Sequence, residues 1–368
     1  MSVPTRRTAV ALAVTALAGP LAGCGEARQV AARAHRRPAR GDALRIGLLL
    51  PENQTARYER FDRPLIERRV AELTGGRARV VYANAKQDAA LQNQQIETML
   101  THRVHVLVLD AVDARAVAGA VRRAKDAGVP VLAYDRLAEG PVAAYTSFDN
   151  EEVGRVQGEA LLRALGDRAR TGRIVMLNGS VTDPNAAVYK RGAHRALDGR
   201  VGIGREFDVQ EWKPEHAHSH MRSALTALGK DRVIGVYCAN DGMAGGVVQA
   251  LKGAGVSPLP PVTGQDAELA AVQRIVAGEQ YMSVYKPYAR AARAAADLAV
   301  ALARGEPVTA PAAVDSATAR GVPAVLLPVV ALTRDRVADT VLKDGLHSRD
   351  EVCTARYAAA CDRLDLPG

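Results

Sequence analysis

The chain has 368 residues, of which 48% are hydrophobic and 24% charged, and its formal net charge at pH 7 is +9. This length exceeds what one compact core usually supports, so we expect two lobes of about 100–150 residues each. Residues 1–43 carry +5 of the charge. The remaining +4, without a recognisable nucleic-acid motif, argues against a nucleic-acid partner.

Residues 1–23 have the pattern of a secretory signal peptide that ends at a lipid-modified cysteine. Arg6 and Arg7 precede an apolar run (8–18) that is about half as long as a membrane-spanning helix. Small residues then lead into Cys24 in the tetrapeptide LAGC, which matches a lipobox. We therefore predict cleavage before Cys24 and its lipidation; the alternative is a cleaved signal with an incidental cysteine. The paired arginines leave both general and twin-arginine export open.

Residues 24–43 are rich in alanine and arginine and show no apolar periodicity. We expect them to form a disordered basic tether that lies close to anionic lipid headgroups. With the lipid predicted on Cys24, the tether would hold an exported protein at the outer face of the cell membrane.

The chain then alternates short apolar strands with helices. Strands are predicted at 44–50 (LRIGLLL), 79–82, 104–109 (VHVLVL) and 129–133, and a helix follows each of the first three. Asp88 is the expected N-cap of the helix after the second strand. Near-continuous apolar strands separated by helices predict a parallel sheet that is covered on both faces.

The same alternation continues after residue 150, with strands at 173–177, 233–238, 262–264 and 281–284 and a helix at 289–303. Two runs of similar size predict an α/β protein with two doubly wound parallel-sheet lobes joined by three strands. The crossings are expected at 145–150 (YTSFDN), 284–287 and, as a weaker candidate, 323–327 (PAVLL). The predicted domains are a first lobe (44–147 plus 288–322), a second lobe (148–287 plus 323–347) and a tail (348–368).

One segment of the second lobe, 263–287, brings two charged side chains to strand ends. A strand leads to Gln265 and Asp266, a helix follows over 267–277, and the strand YMSV leads to Lys286. In an open parallel α/β sheet, ligands bind beyond the carboxyl ends of the strands. This placement predicts that Asp266 and Lys286 contact a ligand; the alternative is a surface connection with solvated charges.

The tail contains a candidate disulfide of an exported protein. Cys24 is the predicted lipid site and Cys238 lies in the apolar segment VIGVYC, which leaves Cys353 and Cys361. Eight residues apart in one straight helix, their Cα atoms would be about 12 Å apart, beyond disulfide reach. A bridge therefore requires the tail to bend between them.

Several longer motifs extend over residues 44–347. They are AYDR (133–136), SFDNEEVG (147–154), NGSVTDPNA (178–186), ANDGMAGG (239–246), GQDAELAAVQRI (264–275), VYKP (284–287) and DTVLKDGLH (339–347). In these motifs the chain resembles the xylose-binding branch of the type I periplasmic binding proteins, the sugar receptors of bacterial ABC importers. The resemblance implies two lobes that close on a sugar by a hinge motion.

The resemblance also implies a binding site, because charged and amide groups can hydrogen-bond sugar hydroxyls while aromatic rings cover the sugar faces. Trp212 corresponds to the stacking tryptophan of the family, whereas Tyr58 stands where relatives can carry a second tryptophan. Arg60 could instead be a solvated residue of a first helical turn, and Asp135 a helix cap or a structural partner of its neighbour. The full implied set is Arg57, Tyr58, Arg60, Asp135, Arg136, Asp183, Asn185, Trp212, Asn240, Asp266 and Lys286.

Catalytic and metal sites are not evident in the sequence. His216 and His220 share a helix face at the spacing of zinc ligands, but His218 points away and no third ligand is evident. We find no Gly-rich phosphate loop after a strand, no GxSxG elbow and no nucleophile–base pair. We therefore expect no enzyme activity, no cofactor and no functional metal.

These observations together predict an extracytoplasmic solute-binding lipoprotein. It would act as a monomer, capture a monosaccharide, with D-xylose favoured, and deliver it to an ABC permease. The alternatives are a receptor for another pentose or a hexose, a sensory component that reports sugar to a membrane sensor, and an enzyme that acts on sugars.

Overall fold

The structure, a computed structural model, describes residues 43–367 and shows strand–helix alternation along most of that range. The predicted signal peptide, Cys24 and all but the last residue of the predicted tether lie outside the described residues. The strands are β1 (Arg45–Leu50), β2 (Arg79–Asn84), β3 (Val106–Leu109), β4 (Val131–Tyr134), β5 (Ala144–Phe148), β6 (Arg173–Asn178), β7 (Gly202–Asp208), β8 (Val233–Cys238), β9 (Met282–Tyr285), β10 (Ala312–Val314), β11 (Val322–Leu327) and β12 (Val330–Thr333).

The helices connect these strands and cover the faces of the sheets. They are α1 (Arg63–Thr74), α2 (Ala89–Thr101), α3 (Ala118–Asp126), α4 (Asn150–Leu165), α5 (Pro184–Leu197), α6 (Pro214–Leu228), α7 (Asp241–Gly253), α8 (Leu269–Ala277), α9 (Tyr288–Arg304), α10 (Arg349–Val352) and α11 (Ala358–Asp362). Asp88 caps α2 by accepting hydrogen bonds from the backbone N–H groups of Ala90 and Leu91, as predicted. Within residues 43–367, no helix has both the length and the apolar character needed to cross a bilayer.

The first lobe is built on a sheet with the strand order β10-β11-β5-β4-β3-β1-β2. Only the β10–β11 pair is antiparallel. Leu48 and Leu50 of β1 pack into a core with α1 and α9, whereas Leu49 packs into a second core with α2 and α3 on the opposite face. This is the sheet covered on both faces that the continuous apolar strands predicted.

The second lobe has a central sheet with the order β7-β6-β8, all parallel. Two isolated parallel bridges, Val236 to Val262 and Gln265 to Val284, connect β8 through the segment before α8 to β9. The pair β9–β12 is antiparallel and completes this side. The strand β7 was not predicted from the sequence, because its glycines and charged residues (GIGREFD) give an edge strand with little apolar character.

The chain crosses between the lobes three times: after β5, after β9 and after β11. The prediction that the third crossing lies within 323–327, and that these residues belong to the second lobe, is wrong. Val322–Leu327 pairs with β5 in the first sheet, with Ala324 opposite Tyr145 and Leu327 opposite Phe148. The crossing comes after Leu327 and before β12, which pairs in the second lobe. An apolar segment beside a crossing could not be assigned to one sheet without knowing its partner strand.

The tail bends between its two cysteines, so the predicted disulfide between Cys353 and Cys361 forms. α10 ends at Val352 and α11 begins only at Ala358, which brings the two Cα atoms to 5.9 Å. Cys238 is buried and free. The tail also contacts α8, where the backbone carbonyl of Glu351 accepts a hydrogen bond from the side chain of Gln273 (2.9 Å).

Candidate functional site

A cavity lies between the two lobes, at the carboxyl ends of strands from both sheets; counting its open mouth, it contains about 310 Å³ of space not filled by atoms. The loops after β1 and β4 reach it from the first lobe, and the loop after β8 and the segment around Asp266 reach it from the second. The residues that line it are Thr55, Arg57, Tyr58, Asp135, Arg136, Asp183, Tyr189, Trp212, Asn240, Gln265, Asp266 and Lys286.

Nine of the eleven residues predicted to bind the ligand line this one cavity. The two that do not are Arg60 and Asn185. Thr55, Tyr189 and Gln265 line it but were not predicted. Gln265 precedes Asp266 at the same strand end, and that position could have identified it.

Arg60 lies on the surface and forms an ion pair with Glu351 of the tail, with both side chains more than a third exposed. The alternative interpretation, a solvated residue of a first helical turn, is therefore the one that the structure shows. The helical turn Tyr58–Asp62 points Tyr58 inward and Arg60 outward. One turn thus supplies one residue to the cavity and another to the tail contact.

Asn185 is buried, but its amide group is used within the protein. Its Nδ2 donates to the backbone carbonyl of Asp135 across the lobes (3.0 Å), and its Oδ1 accepts from Asn150 (2.8 Å). The carbonyl of Asp135 also accepts hydrogen bonds from Tyr145 and Ser147, both at 2.8 Å. Asn185 therefore acts as a positioning residue for Asp135.

The first lobe contributes an arginine held between two carboxylates. Arg57 donates from Nε to Asp62 (2.9 Å) and from Nη1 to Asp135 (3.0 Å), and all three side chains are buried. Burial raises the pKa of Asp62 to about 6, although Arg57 opposes the shift. Burial also favours a raised pKa for Asp135, but Arg57, Lys286 and Arg136 outweigh it and hold that pKa below its usual value. Asp135 is therefore a carboxylate at neutral pH.

A second buried ion pair joins the lobes directly. Arg136 of the first lobe lies with Nε 2.9 Å from Oδ2 of Asp183 in the second, and its Nη1 donates to the carbonyl of Ala111 (3.0 Å). Asp183 also caps α5 by accepting from the backbone N–H of Asn185. Burial raises the pKa of Asp183 against the influence of Arg136. This pair fixes the orientation of both side chains at the cavity wall.

The third ion pair joins Asp266 and Lys286, whose Oδ1 and Nζ atoms are 3.0 Å apart. Both residues are almost fully buried. The ammonium group of Lys286 also lies over the rings of Phe148 and Tyr189, at 5.7 and 5.4 Å from their centroids. The segment 263–287 therefore brings its carboxylate and its ammonium together at one wall of the cavity.

Three aromatic side chains border the cavity: Tyr58, Tyr189 and Trp212. Trp212 packs edge-on against Tyr189, with their centroids 6.3 Å apart. Its ring covers Gly179, where a Cβ atom would overlap the indole. The glycine at 179 in the motif NGSVTDPNA is thus required for the position of Trp212. The indole Nε1 of Trp212 is buried without a hydrogen-bond partner.

The charges of the lining side chains balance. Three cations (Arg57, Arg136, Lys286) face three carboxylates (Asp135, Asp183, Asp266). Buried polar atoms without hydrogen-bond partners remain among the lining side chains, including Nη2 of Arg57, Oε1 of Gln265 and Nε1 of Trp212. Such groups require a partner that both donates and accepts hydrogen bonds. The geometry is therefore that of a site for a small neutral molecule with several hydroxyl groups.

The histidine cluster of α6 lies elsewhere in the second lobe. Nδ1 of His216 is 3.1 Å from the carbonyl of Gln210, and His220 stacks on Phe207 with their centroids 4.6 Å apart. Across residues 43–367, no group of three or more His, Cys, Asp or Glu residues is arranged to hold a metal ion.

Two lobes with doubly wound sheets, three crossings and a polar cavity at the carboxyl ends of the strands define a two-lobed solute receptor fold. Residues 46–307 match the model of the periplasmic binding protein domain, and the chain belongs to that family.

Several relatives and solved structures match over most of the chain. A D-xylose-binding periplasmic protein of Haemophilus influenzae is 35% identical over 84% of this chain and 92% of its own length. A D-xylose-binding periplasmic protein of Escherichia coli is 34% identical over 85% and 94%. The structure of a carbohydrate transporter solute-binding protein from Chloroflexus aurantiacus, in complex with D-glucose, matches with a TM-score of 0.76 and 28% identity over 84% of this chain and 98% of that one.

Proposed function

We propose that the protein captures a neutral monosaccharide between its lobes and delivers it to an ABC permease, with D-xylose as the favoured ligand. The observation that carries this proposal is the balanced set of charges around the cavity, together with its buried donors and acceptors that lack partners. A sugar hydroxyl both donates and accepts, so it can satisfy a guanidinium and a carboxylate at once. A phosphate or carboxylate ligand would instead leave an excess of negative charge in the cavity.

Two observations favour a single sugar ring, and D-xylose in particular. Tyr58 and Trp212 can cover the apolar faces of a pyranose ring. The two relatives at 34–35% identity are named for D-xylose binding. A hexose receptor is the second candidate, because the related Chloroflexus structure holds D-glucose.

Binding rather than catalysis is the function that the lining supports. Among the described residues that line the cavity, none is His or Cys, and Thr55 is the one aliphatic hydroxyl. The carboxylates are each paired with a cation, so none is poised as a general base. Binding energy shared between both lobes favours the closed form, which the permease would recognise.

We also propose that Cys24 carries the lipid that anchors the protein to the outer face of the cell membrane, as a monomer beside its permease. Support comes from the LAGC motif and the basic residues that follow it. Cys24→Ala should shift the protein from the membrane fraction to unprocessed precursor or soluble material. Unchanged membrane retention would contradict lipidation.

The ligand proposal is tested by thermal shift and by the fluorescence of Trp212, the only tryptophan of the chain. D-xylose should raise the melting temperature, because a ligand that binds the native state stabilises it by mass action. It should also change Trp212 emission more than ribose, arabinose or glucose does. A response to another sugar alone would replace xylose, and no response to any monosaccharide would overturn the proposed class of ligand.

A further inference from the structure

A second cavity lies at the opposite end of the central sheet of the second lobe, where β6, β7 and β8 begin. Counting its open mouth, it contains about 740 Å³ of space not filled by atoms. Its walls are the loop before β6, the turn before β7 and the residue before β8. The lining residues are Ala169, Arg170, Thr171, Gly172, Arg173, Gly199, Arg200, Val201, Gly202 and Arg232. We call it the arginine cavity.

The parallel register of the sheet brings the four arginines together. Arg173 is the first residue of β6 and lies opposite Gly202 of β7 and Val233 of β8. Arg200 stands two residues before Gly202, and Arg232 directly precedes Val233. Both arginines therefore lie at the same edge of the sheet as Arg173. Gly202 leaves room for the guanidinium of Arg173, which a Cβ atom at 202 would overlap. Three segments that are distant in sequence thus supply one cluster.

The lining of the arginine cavity contains four positive charges and no acidic residue. Among the described residues, no side-chain hydrogen bond or ion pair is formed by any of these arginines. Arg155, an exposed arginine of the same lobe, is by contrast paired with Glu152 and Glu159. Like charges held close together repel each other and raise the local concentration of anions. The sugar cavity differs in that each of its cations faces a carboxylate.

We propose that the arginine cavity binds a phosphate-bearing anion. Guanidinium groups match phosphate oxygens with paired, charge-assisted hydrogen bonds, so several converging arginines favour phosphate over a neutral solute. The cavity lies at the amino-terminal edge of the strands whose carboxyl ends face the sugar cavity, so both sites can be occupied together. The same chemistry is offered by soluble phosphates and by phospholipid headgroups.

The test uses the full-length chain produced without lipid modification, in 150 mM salt so that long-range attraction is screened. Tripolyphosphate binding is measured by calorimetry, and vesicles of phosphatidylglycerol or of phosphatidylcholine are used in a flotation assay. The cavity variant is Arg173→Gln/Arg232→Gln. The control, Arg222→Gln/Arg293→Gln, removes the same charge at two exposed arginines for which the described residues provide no side-chain partner.

The cavity variant should lose at least tenfold in affinity for the phosphate probe, while the control variant keeps its affinity. D-xylose binding should be unchanged in both variants, which shows that they are folded. Loss of tripolyphosphate binding alone assigns a soluble ligand, and loss of flotation with phosphatidylglycerol vesicles assigns a lipid headgroup. Equal weakening in both variants, or no binding of either probe by the unmodified sequence, would overturn the proposal.

Discussion

Asp266→Ala tests the structural and binding roles of the carboxylate on which the site depends. Asp266 is 6% exposed and its Oδ1 lies 3.0 Å from Nζ of Lys286, which is 2% exposed. The alanine leaves this ammonium group buried without its nearest carboxylate. Removing one partner of a buried ion pair costs about 3–5 kcal/mol of unfolding free energy. We expect the lower end, because Asp135 is also within electrostatic reach of Lys286.

The same substitution should weaken sugar binding. A carboxylate can accept hydrogen bonds from two adjacent hydroxyls, and a hydrogen bond to a charged group contributes about 1.5–3 kcal/mol. The loss of this contribution corresponds to a rise in Kd of about 10-fold to 150-fold. The sequence alone predicts little change in the stability of the unliganded protein, because a carboxylate in a cleft buries no core surface. The buried ion pair with Lys286 instead predicts a loss of stability.

Urea unfolding without sugar and titration calorimetry with D-xylose separate the two effects. The double variant Asp266→Ala/Lys286→Met should recover part of the lost stability, since no uncompensated charge remains, but should not recover binding. Asp126→Ala, at an exposed residue of α3, serves as the control and should change neither quantity. A destabilised Asp266→Ala protein whose folded fraction binds xylose with unchanged affinity would refute the binding role. Unchanged stability would refute the role of the ion pair.

Further predictions concern the aromatic wall and the pH dependence of stability. Gly179→Ala should displace Trp212, change its fluorescence and weaken sugar binding at least tenfold. The control Gly253→Ala, where a Cβ atom meets nothing within 4 Å, should leave the fluorescence and the sugar affinity unchanged. Equal effects of the two substitutions in a binding titration would contradict the packing argument. Burial and neighbouring aspartates raise the pKa of Glu268 from 4.5 to about 8. Its contribution to stability is therefore complete below about pH 4.5 and lost as the pH rises through 8. The urea concentration at the unfolding midpoint should therefore fall between pH 5 and 8, and Glu268→Gln should reduce this fall. The control Asp126→Asn should leave the pH dependence of the midpoint unchanged.

The fold, and the site residues that stand at strand ends, could be predicted because both depend on local sequence patterns. Apolar runs separated by helices specify the parallel sheets, and a charged residue directly after such a run lies at a strand end. Arg136, Asp266 and Lys286 follow this rule and line the cavity. Arg60 does not follow a strand directly, and its outward direction depends on the helical turn that contains it.

Contacts that join distant segments could not be predicted in this way. Tyr189 lies in the middle of α5 and reaches the cavity only because α4 and α5 pack closely, where a Cβ atom at Gly154 would overlap the backbone of Tyr189. The amide of Asn185 has the chemistry of a ligand contact, but the backbone of Asp135 in the other lobe uses it. The sequence shows which groups stand at strand ends and does not show which of them the opposite lobe already occupies.

Backbone conformation at the cavity supplies a further reason why the site is difficult to predict. Asp135, Trp212 and Asp266 line the cavity with positive φ angles of 57°, 58° and 94°. For residues other than glycine such conformations cost about 1–3 kcal/mol each and persist where surrounding contacts fix them. Here the contacts are identifiable: the carbonyl of Asp135 accepts three hydrogen bonds, and Asp266 donates its N–H to Val284 (2.9 Å) and accepts from Tyr288 (2.6 Å). The strand ends set the positions of the two carboxylates, but these hydrogen bonds set their directions. We therefore infer that residues such as Asn185 and Tyr288, which need not touch the sugar, determine how well it is held.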